Sequence, residues 1–194
     1  HDAALGEGLY RTQCTLDGVG SINCWGSTYG SRPIIEDGGT GNLLLRTGGG
    51  AEPKLCVLDA ERRIKCWDRT WPYTADVLTG PGWKNVEVGS YYTCGLDADG
   101  RIECWANKAG SVLETRGVAV GVPSGTGYTH IAIGSYQACA LASDRKLECW
   151  GDDTYDEYFG FGWDTITHVA AEYSEIEATG GTICATSHPG GSTD

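Results

Sequence analysis

The stretch Cys94–Trp105, CGLDADGRIECW, sets the frame for the chain: two half-cystines with nine residues between them, an Asp-Ala-Asp-Gly turn, and a Trp directly after the second Cys. The frame recurs at Cys14/Cys24/Trp25, Cys56/Cys66/Trp67 and Cys139/Cys149/Trp150, which identifies a repeat protein. Folding the stretch about its centre as an antiparallel ribbon places Cys94 opposite Cys104 and leaves Ala98-Asp99-Gly100 as a three-residue loop. The last residue of such a loop takes a positive φ, where Gly costs least. Gly100 and Gly20 stand there in the third and first copies. In the second and fourth copies the position holds Arg62 and Arg145, which are expected to accept strain. Residues facing each other across such a ribbon have Cβ atoms about 4.5–5.5 Å apart, close to what a cross-strand disulfide needs. The reading is four hairpin disulfides: Cys14–Cys24, Cys56–Cys66, Cys94–Cys104 and Cys139–Cys149. Metal ligation by these cysteines would call for close pairs such as C-x-x-C with His nearby, and neither is present.

The chain has 194 residues, enough for one domain with a substantial core. Nine Cys, eight of them in regular pairs, point to an oxidising compartment and a secreted, extracellular protein. No apolar run is long enough to span a membrane, so no membrane association is expected, and the start at His1 reads as a trimmed end. A net charge of −12 argues against nucleic acid, which needs a basic footprint. Thirty Gly, many short β-rich segments and no long helical periodicity give an all-β fold.

Each hairpin follows a short alternating strand that ends at Gly: VEVGS (86–90) before YYTC, IAIGS (131–135) before YQAC, LLLRTGGG (43–50) before the second hairpin, and the weaker AALGEG (3–8) before the first. A lead strand, a turn at Gly, a hairpin and a variable segment make the grammar of a propeller blade. At the end of the chain, aligning Tyr173 with Tyr91 and Tyr136 puts Ile176 at the first-Cys position and Cys184 at the second. The loop is then Thr179-Gly180-Gly181, Ala185 replaces the Trp, and Cys184 is expected to be an odd, buried thiol. Second-Cys positions 24, 66, 104, 149 and 184 are then 42, 38, 45 and 35 residues apart, within the range of propeller repeats. The expectation is a single β-propeller domain over 1–194, five-bladed and closed, with units near 1–42, 43–82, 83–126, 127–161 and 162–194 and a C-x9-C clamped hairpin in four of them. It would be a monomer or a small homo-oligomer.

CGLDADGRIECW and CALASDRKLECWG, each after an [IV]-x-[IV]-G-S strand, resemble the regulator of chromosome condensation repeat. Gly134, Ala140, Leu141, Leu147, Trp150 and Gly151 match it in the fourth unit, and Gly89, Leu96, Gly100, Ile102 and Trp105 in the third. Secreted members of that family often carry Cys at these two hairpin positions. The family usually forms seven blades, and a count of five is similar to the tachylectin-like sugar-binding propellers. The resemblance implies a propeller with a habit of binding. Its members include a nucleotide-exchange factor and a secreted β-lactamase inhibitor, so the fold leaves the function open.

Function is therefore sought in residues that the repeat does not require. Trp25, Trp67, Trp105 and Trp150 recur in register and read as packing residues. Trp83, Tyr128 and Trp163 each follow Gly at the entry to a lead strand, which places them on one rim as candidate ligand contacts. Trp71-Pro72-Tyr73 is not repeated, and Trp71 and Tyr73 are more specific candidates. The segment GDDTYDEYFGFGW (151–163) joins aromatic faces to carboxylates, as sugar binding needs: a sugar's C–H face stacks on rings while its hydroxyls donate to acids. Tyr155, Tyr158, Asp153 and Asp156 are the candidates there. The same mixture suits a protein interface. Asp152, Asp153, Asp156 and Glu157 supply oxygen ligands of the kind calcium takes, in a spacing unlike an EF-hand, so no cofactor is expected. No nucleophile elbow, H-E-x-x-H motif, phosphate loop or selected carboxylate pair marks an enzyme. His130 and His168 are placed in lead strands. The expected function is a secreted, non-catalytic carbohydrate-binding propeller. The alternatives are a protein-binding or inhibitor propeller and a carbohydrate-active enzyme.

Overall fold

The structure is a computed structural model that describes residues 2–5, 13–25, 39–48, 54–67, 76–78, 80, 82–107, 117–119, 121–151, 167–169, 172–179 and 182–187. These form five antiparallel sheets in chain order. The first contains β1 (Asp2–Leu5), β2 (Gln13–Leu16) and β3 (Ile22–Trp25). The second contains β4 (Leu44–Gly48), β5 (Lys54–Leu58), β6 (Ile64–Trp67) and β7 (Asp76–Leu78). β8 (Trp83–Val88), β9 (Tyr92–Asp97) and β10 (Ile102–Ala106) make the third. The fourth has β11 (Tyr128–Ile133), β12 (Gln137–Ala142), β13 (Leu147–Gly151) and β14 (Thr167–Val169), and the fifth has β15 (Tyr173–Thr179) and β16 (Thr182–Ser187). Among the described residues no helix is long and apolar enough to cross a membrane.

The hairpins close as their symmetry requires. Cys14 faces Cys24, Cys56 faces Cys66, Cys94 faces Cys104 and Cys139 faces Cys149, and all four pairs are disulfides with Cα atoms 4.0–4.1 Å apart. Gly20 and Gly100 have φ of 78° and 77°, while Arg62 and Arg145 take 62° and 67°. An L-residue with a Cβ accepts that region at about 1–2 kcal/mol. An acid at the closing position helps to offset the cost. Asp17, Asp59 and Asp97 each accept, through Oδ1, the backbone N–H four residues on, at 2.8, 2.9 and 2.8 Å. The fourth copy has Ala142 at that position, and Asp144 instead accepts from the Lys146 N–H at 3.2 Å.

The two faces of each sheet have separate destinations. The disulfide face carries the half-cystines and the aliphatic residues that flank the loop. Cys14 and Leu16 pack on Leu45, Leu55, Val57 and Trp67 of the second sheet. Cys56, Leu58, Ile64 and Cys66 of the second sheet pack on Trp83 and Val86 of the third, with Trp105 alongside. Cys94, Leu96 and Ile102 meet Tyr128, Ile131, Ile133, Ala138, Ala140 and Trp150 of the fourth. Cys139, Leu141 and Leu147 meet Ile176 of the fifth. Each disulfide is thus roofed by the next sheet, and the Trp after the second Cys turns to the opposite face and covers the sheet before it. The indole of Trp150 also donates to the Val118 carbonyl at 3.1 Å. Packing therefore runs from first sheet to fifth in chain order, and among the described residues no comparable contact joins the fifth sheet to the first. Trp25, on the face that no described sheet covers, is 52% exposed, whereas Trp67 and Trp150 are 3% and 4% exposed.

The fifth sheet corrects the register expected for that unit. Tyr173 N–H donates to the Arg145 carbonyl, as Trp83 donates to Arg62 and Tyr128 to Gly100. Tyr173 is therefore the counterpart of Trp83 and Tyr128, not of Tyr91 and Tyr136, and β15 is a lead strand. Glu177 faces Cys184 as Glu87 faces Cys94 and Ala132 faces Cys139, whereas Ile176 faces Ala185. Cys184 thus occupies the first half-cystine position, and it is exposed instead of buried. The spacing carried this information: Trp83 to Cys94, Tyr128 to Cys139 and Tyr173 to Cys184 are each eleven residues. β14 pairs with β13, so the fourth unit runs past 161, and His168 lies beside the hairpin of that sheet instead of in a lead strand.

Lead strands converge at one end. A Cβ on Gly48 would collide with the Gly89 carbonyl oxygen, and one on Gly89 with that of Gly134. Gly at the end of the second and third lead strands is thus required by close approach between neighbouring sheets. Beside it Ser90 and Ser135 hydroxyls lie 3.2 Å apart, and Tyr91 stacks on Tyr136 at 4.9 Å.

Two predictions follow from this packing. Trp150→Ala should cost about 3–5 kcal/mol in urea unfolding and Trp25→Ala clearly less, since Trp150 is buried and Trp25 is half exposed. Equal costs would contradict the assignment of faces. At Asp59, burial pushes the carboxyl pKa up, but hydrogen bonds from the side chain and backbone of Arg63 and from Lys65 outweigh it and hold the group at about 2. The folded value lies below the unfolded value of about 3.9, so this stabilisation is complete above that pH and is lost as pH falls towards 2. Asp59→Asn should therefore lower the urea midpoint at pH 6 and flatten its fall between about pH 4 and pH 2.

Candidate functional site

The lead strands β4, β8, β11 and β15 stand side by side and line a groove of about 440 Å³. Alternation turns their aliphatic residues into the inter-sheet cores and leaves polar residues for the groove. A bulge sharpens this. β8, β11 and β15 are each irregular at the same place, between Trp83 and Asn85, Tyr128 and His130, and Tyr173 and Glu175. A bulge re-aims the side chain that follows it. Asn85, His130 and Glu175 are equivalent residues that line the groove.

A second equivalent set is Arg46, Glu87, Ala132 and Glu177, each facing the first Cys of its own unit. Arg46 Nε donates to Glu87 Oε1 at 2.9 Å, an ion pair between neighbouring sheets. Arg46 Nη1 also reaches the Leu45 carbonyl at 3.0 Å, and Asn85 Nδ2 donates to Glu87 at 3.4 Å. The other end of the groove differs. Glu175 and Glu177 are exposed and, among the described residues, make no ion pair. His130 is exposed and its Nδ1 lies 3.1 Å from Thr129 Oγ1. Three carboxylates against one guanidinium make this an acid-biased groove. Among the described residues no cluster of three or more His, Cys, Asp or Glu is arranged to hold a metal ion.

Two of the aromatic candidates lie elsewhere than expected. Trp83 is 2% exposed, packed edge-on to Trp105 with ring centroids 5.5 Å apart, and its face is turned to the core. Tyr128 is 5% exposed and its hydroxyl donates to Glu148 Oε2 at 2.5 Å. Burial first, and then Glu148 and Asp144, push the Tyr128 phenol above its ordinary pKa, so it stays a donor. Both residues pack against neighbouring sheets, which corrects their reading as rim contacts. The position after Gly recurs because it starts the lead strand over the preceding loop. Trp71, Tyr73, Tyr155, Tyr158, Trp163, Asp153 and Asp156, with Asp152 and Glu157, lie outside the described residues. The groove residues were missed because a repeat-based search discards positions within the repeat. Their signal was the variation at one register, Arg46, Glu87, Ala132 and Glu177, each directly after a branched aliphatic residue: Leu45, Val86, Ile131 and Ile176.

No family model matches the chain, and no curated protein sequence matches it. Solved structures do. The entire ectodomain of the receptor kinase CR4 from Physcomitrella patens superposes with a TM-score of 0.66 at 22% identity over 98% of this chain and 50% of that one. Prp20p from Saccharomyces cerevisiae, studied with its binding to Gsp1p and histones, gives 0.66 at 15% identity over 97% and 56%. The CRINKLY WD40 ectodomain of the receptor kinase ACR4 from Arabidopsis thaliana gives 0.65 at 20% identity over 95% and 63%. The fold is a β-propeller. The chain spans between half and two thirds of the length of these structures.

The Arg46–Glu87 pair is partly exposed, so its worth is modest. A double-mutant cycle of Arg46→Ala and Glu87→Ala should give a coupling energy of about 0.5–1 kcal/mol that falls in high salt. A coupling near zero at low salt would show that the pair does not tie the second sheet to the third.

Proposed function

We propose that the chain is an extracellular, non-catalytic binding module of the regulator of chromosome condensation type, and that it takes a protein ligand in the groove between its lead strands. The observation that carries this reading is the acid of Glu175 and Glu177, which make no ion pair among the described residues, at one end of an open, polar groove whose other end is tied by Arg46 and Glu87. Such a groove favours an extended segment that presents a Lys or Arg side chain, because charge complementarity steers and orients a ligand there. Prp20p is described with protein partners, Gsp1p and histones, which supports protein binding as a use of this fold. Four disulfides and two receptor-kinase ectodomains among the similar structures support the extracellular placement.

Glycan binding is the second reading. It rests on the mixed aromatic and acidic segment 151–163 and on Trp71 and Tyr73. With Trp83 and Tyr128 in the core, two of the rings once available to a sugar are removed from it.

Calorimetry with a Lys- and Arg-bearing peptide, an acidic peptide of equal length, and a panel of oligosaccharides separates the two. The groove reading expects binding of the basic peptide alone, weakening as salt rises, and a loss of about fivefold in the Glu175→Gln/Glu177→Gln variant. Equal binding by wild type and variant would overturn it. Binding of an oligosaccharide that Trp71→Ala abolishes would establish the glycan reading.

A further inference from the structure

The groove sets out one arrangement at two sheet boundaries and completes it at the first. Between the second and third sheets, Glu87 receives two side-chain donors: Arg46 Nε at 2.9 Å across the boundary, and Asn85 Nδ2 at 3.4 Å from its own strand. Arg46 spreads its planar fork over two acceptors, since its Nη1 also donates to the Leu45 carbonyl at 3.0 Å. Between the fourth and fifth sheets the counterpart of Glu87 is Glu177, that of Arg46 is Ala132 and that of Asn85 is Glu175. Alanine has no polar side-chain atom, and an ionised glutamate only accepts. Both residues that would correspond to the donors of Glu87 therefore have no proton to give, and both lie on described strands, β11 and β15, that pack on each other.

The backbone half of the arrangement is kept. Leu45 precedes Arg46 on β4, and Ile131 precedes Ala132 on β11. Each of these strands is the edge of its sheet, and Leu45 and Ile131 pair at the same register, with the residue after the first half-cystine, Val57 or Ala140. The carbonyl that Arg46 reaches thus has its equivalent in that of Ile131. Ile131, Ala132, Glu175 and Glu177 all line the groove, and both glutamates are exposed.

We propose that a ligand of this groove supplies the arginine that the fourth sheet lacks: a guanidinium seated over Ala132 that donates to the Glu177 carboxylate and to the Ile131 carbonyl, with Glu175 adding negative charge beside it. The inference rests on the reading of the groove as a protein-binding site, and it narrows the partner to a chain that presents Arg on an extended segment. A guanidinium is planar and forked and serves both acceptors at once, whereas a lysine ammonium is a compact point charge. Long-range attraction alone treats the two alike. Ala132→Arg would restore the residue that the second sheet carries at this position and so occupy the seat from within.

The test is calorimetry of the full chain with two end-blocked peptides, SGSRSGS and SGSKSGS, at low salt. The wild type should bind the arginine peptide about tenfold more tightly than the lysine peptide. Glu177→Gln should bring the two within about twofold of each other, and Ala132→Arg should weaken the arginine peptide at least about tenfold. Thr47→Lys, which adds the same charge at the other end of the groove, should weaken both peptides equally. Glu177→Gln alters one exposed side chain, so its result stands whatever Ala132→Arg does to packing. Equal affinity of the wild type for the two peptides would overturn the seat and leave the groove reading in place. A preference for arginine that survives Glu177→Gln would also overturn it, since the guanidinium would then be held elsewhere. Binding of neither peptide would overturn the groove reading and the seat together.

Discussion

The structure depends on one contact made again and again: the disulfide face of a hairpin pressed against the Trp face of the next sheet. A cross-strand disulfide fixes two strands to each other but leaves a flat apolar surface of sulfur, Leu and Ile that water does not satisfy. Covering Cys56, Leu58, Ile64 and Cys66 with Trp83 and Val86 removes that surface and at the same time orients the third sheet on the second. Because each of the first four sheets has one face of each kind, the contact is directional and propagates to the fifth, which meets the fourth through Ile176. Stability is then close to a sum over neighbours, as in other repeat proteins. The ends of the series are the places where the rule leaves something uncovered, and both unusual residues stand there: Trp25 on the first sheet and Cys184 on the fifth.

The same directionality makes the groove. Sheets that share one kind of face-to-face contact bring their lead strands together at one end, and Gly48 and Gly89 permit the approach because a Cβ there would strike the backbone of the next sheet. With the aliphatic residues of the lead strands committed to the cores, the polar residues at the bulged register are left to face the groove. The chemistry of the groove is therefore set by a few positions that the fold constrains weakly. Arg46, Glu87, Ala132 and Glu177 occupy one structural position with four different consequences.

Much of the scaffold was legible from residues alone. Hairpin symmetry predicted the four disulfides, the three-residue loops, and the positive φ that Arg62 and Arg145 adopt against their own preference. Two things were read wrongly, each for a physical reason. The fifth unit was aligned on Tyr173 as though it followed the Gly turn, because a lone Cys gives no second anchor. The hydrogen bond from Tyr173 to Arg145 supplies that anchor in space. Trp83 and Tyr128 were read as rim residues because a ring after Gly at a strand entry looks peripheral in one dimension. In three, that entry lies over the loop of the preceding sheet and is among the most buried points of the fold. The polar lining of the groove was hidden for the opposite reason, since hydrophobic alternation marks what is buried and says little about which polar face is shared.

The claim on which the rest hangs is that every sheet packs in one register, the fifth included. Alkylation of the native protein without denaturant, followed by non-reducing peptide mapping, tests it most directly. The account predicts one labelled cysteine, Cys184, and four local crosslinks within the other eight. A protected Cys184, or a crosslink joining it to any half-cystine of the four clamped hairpins, would contradict it.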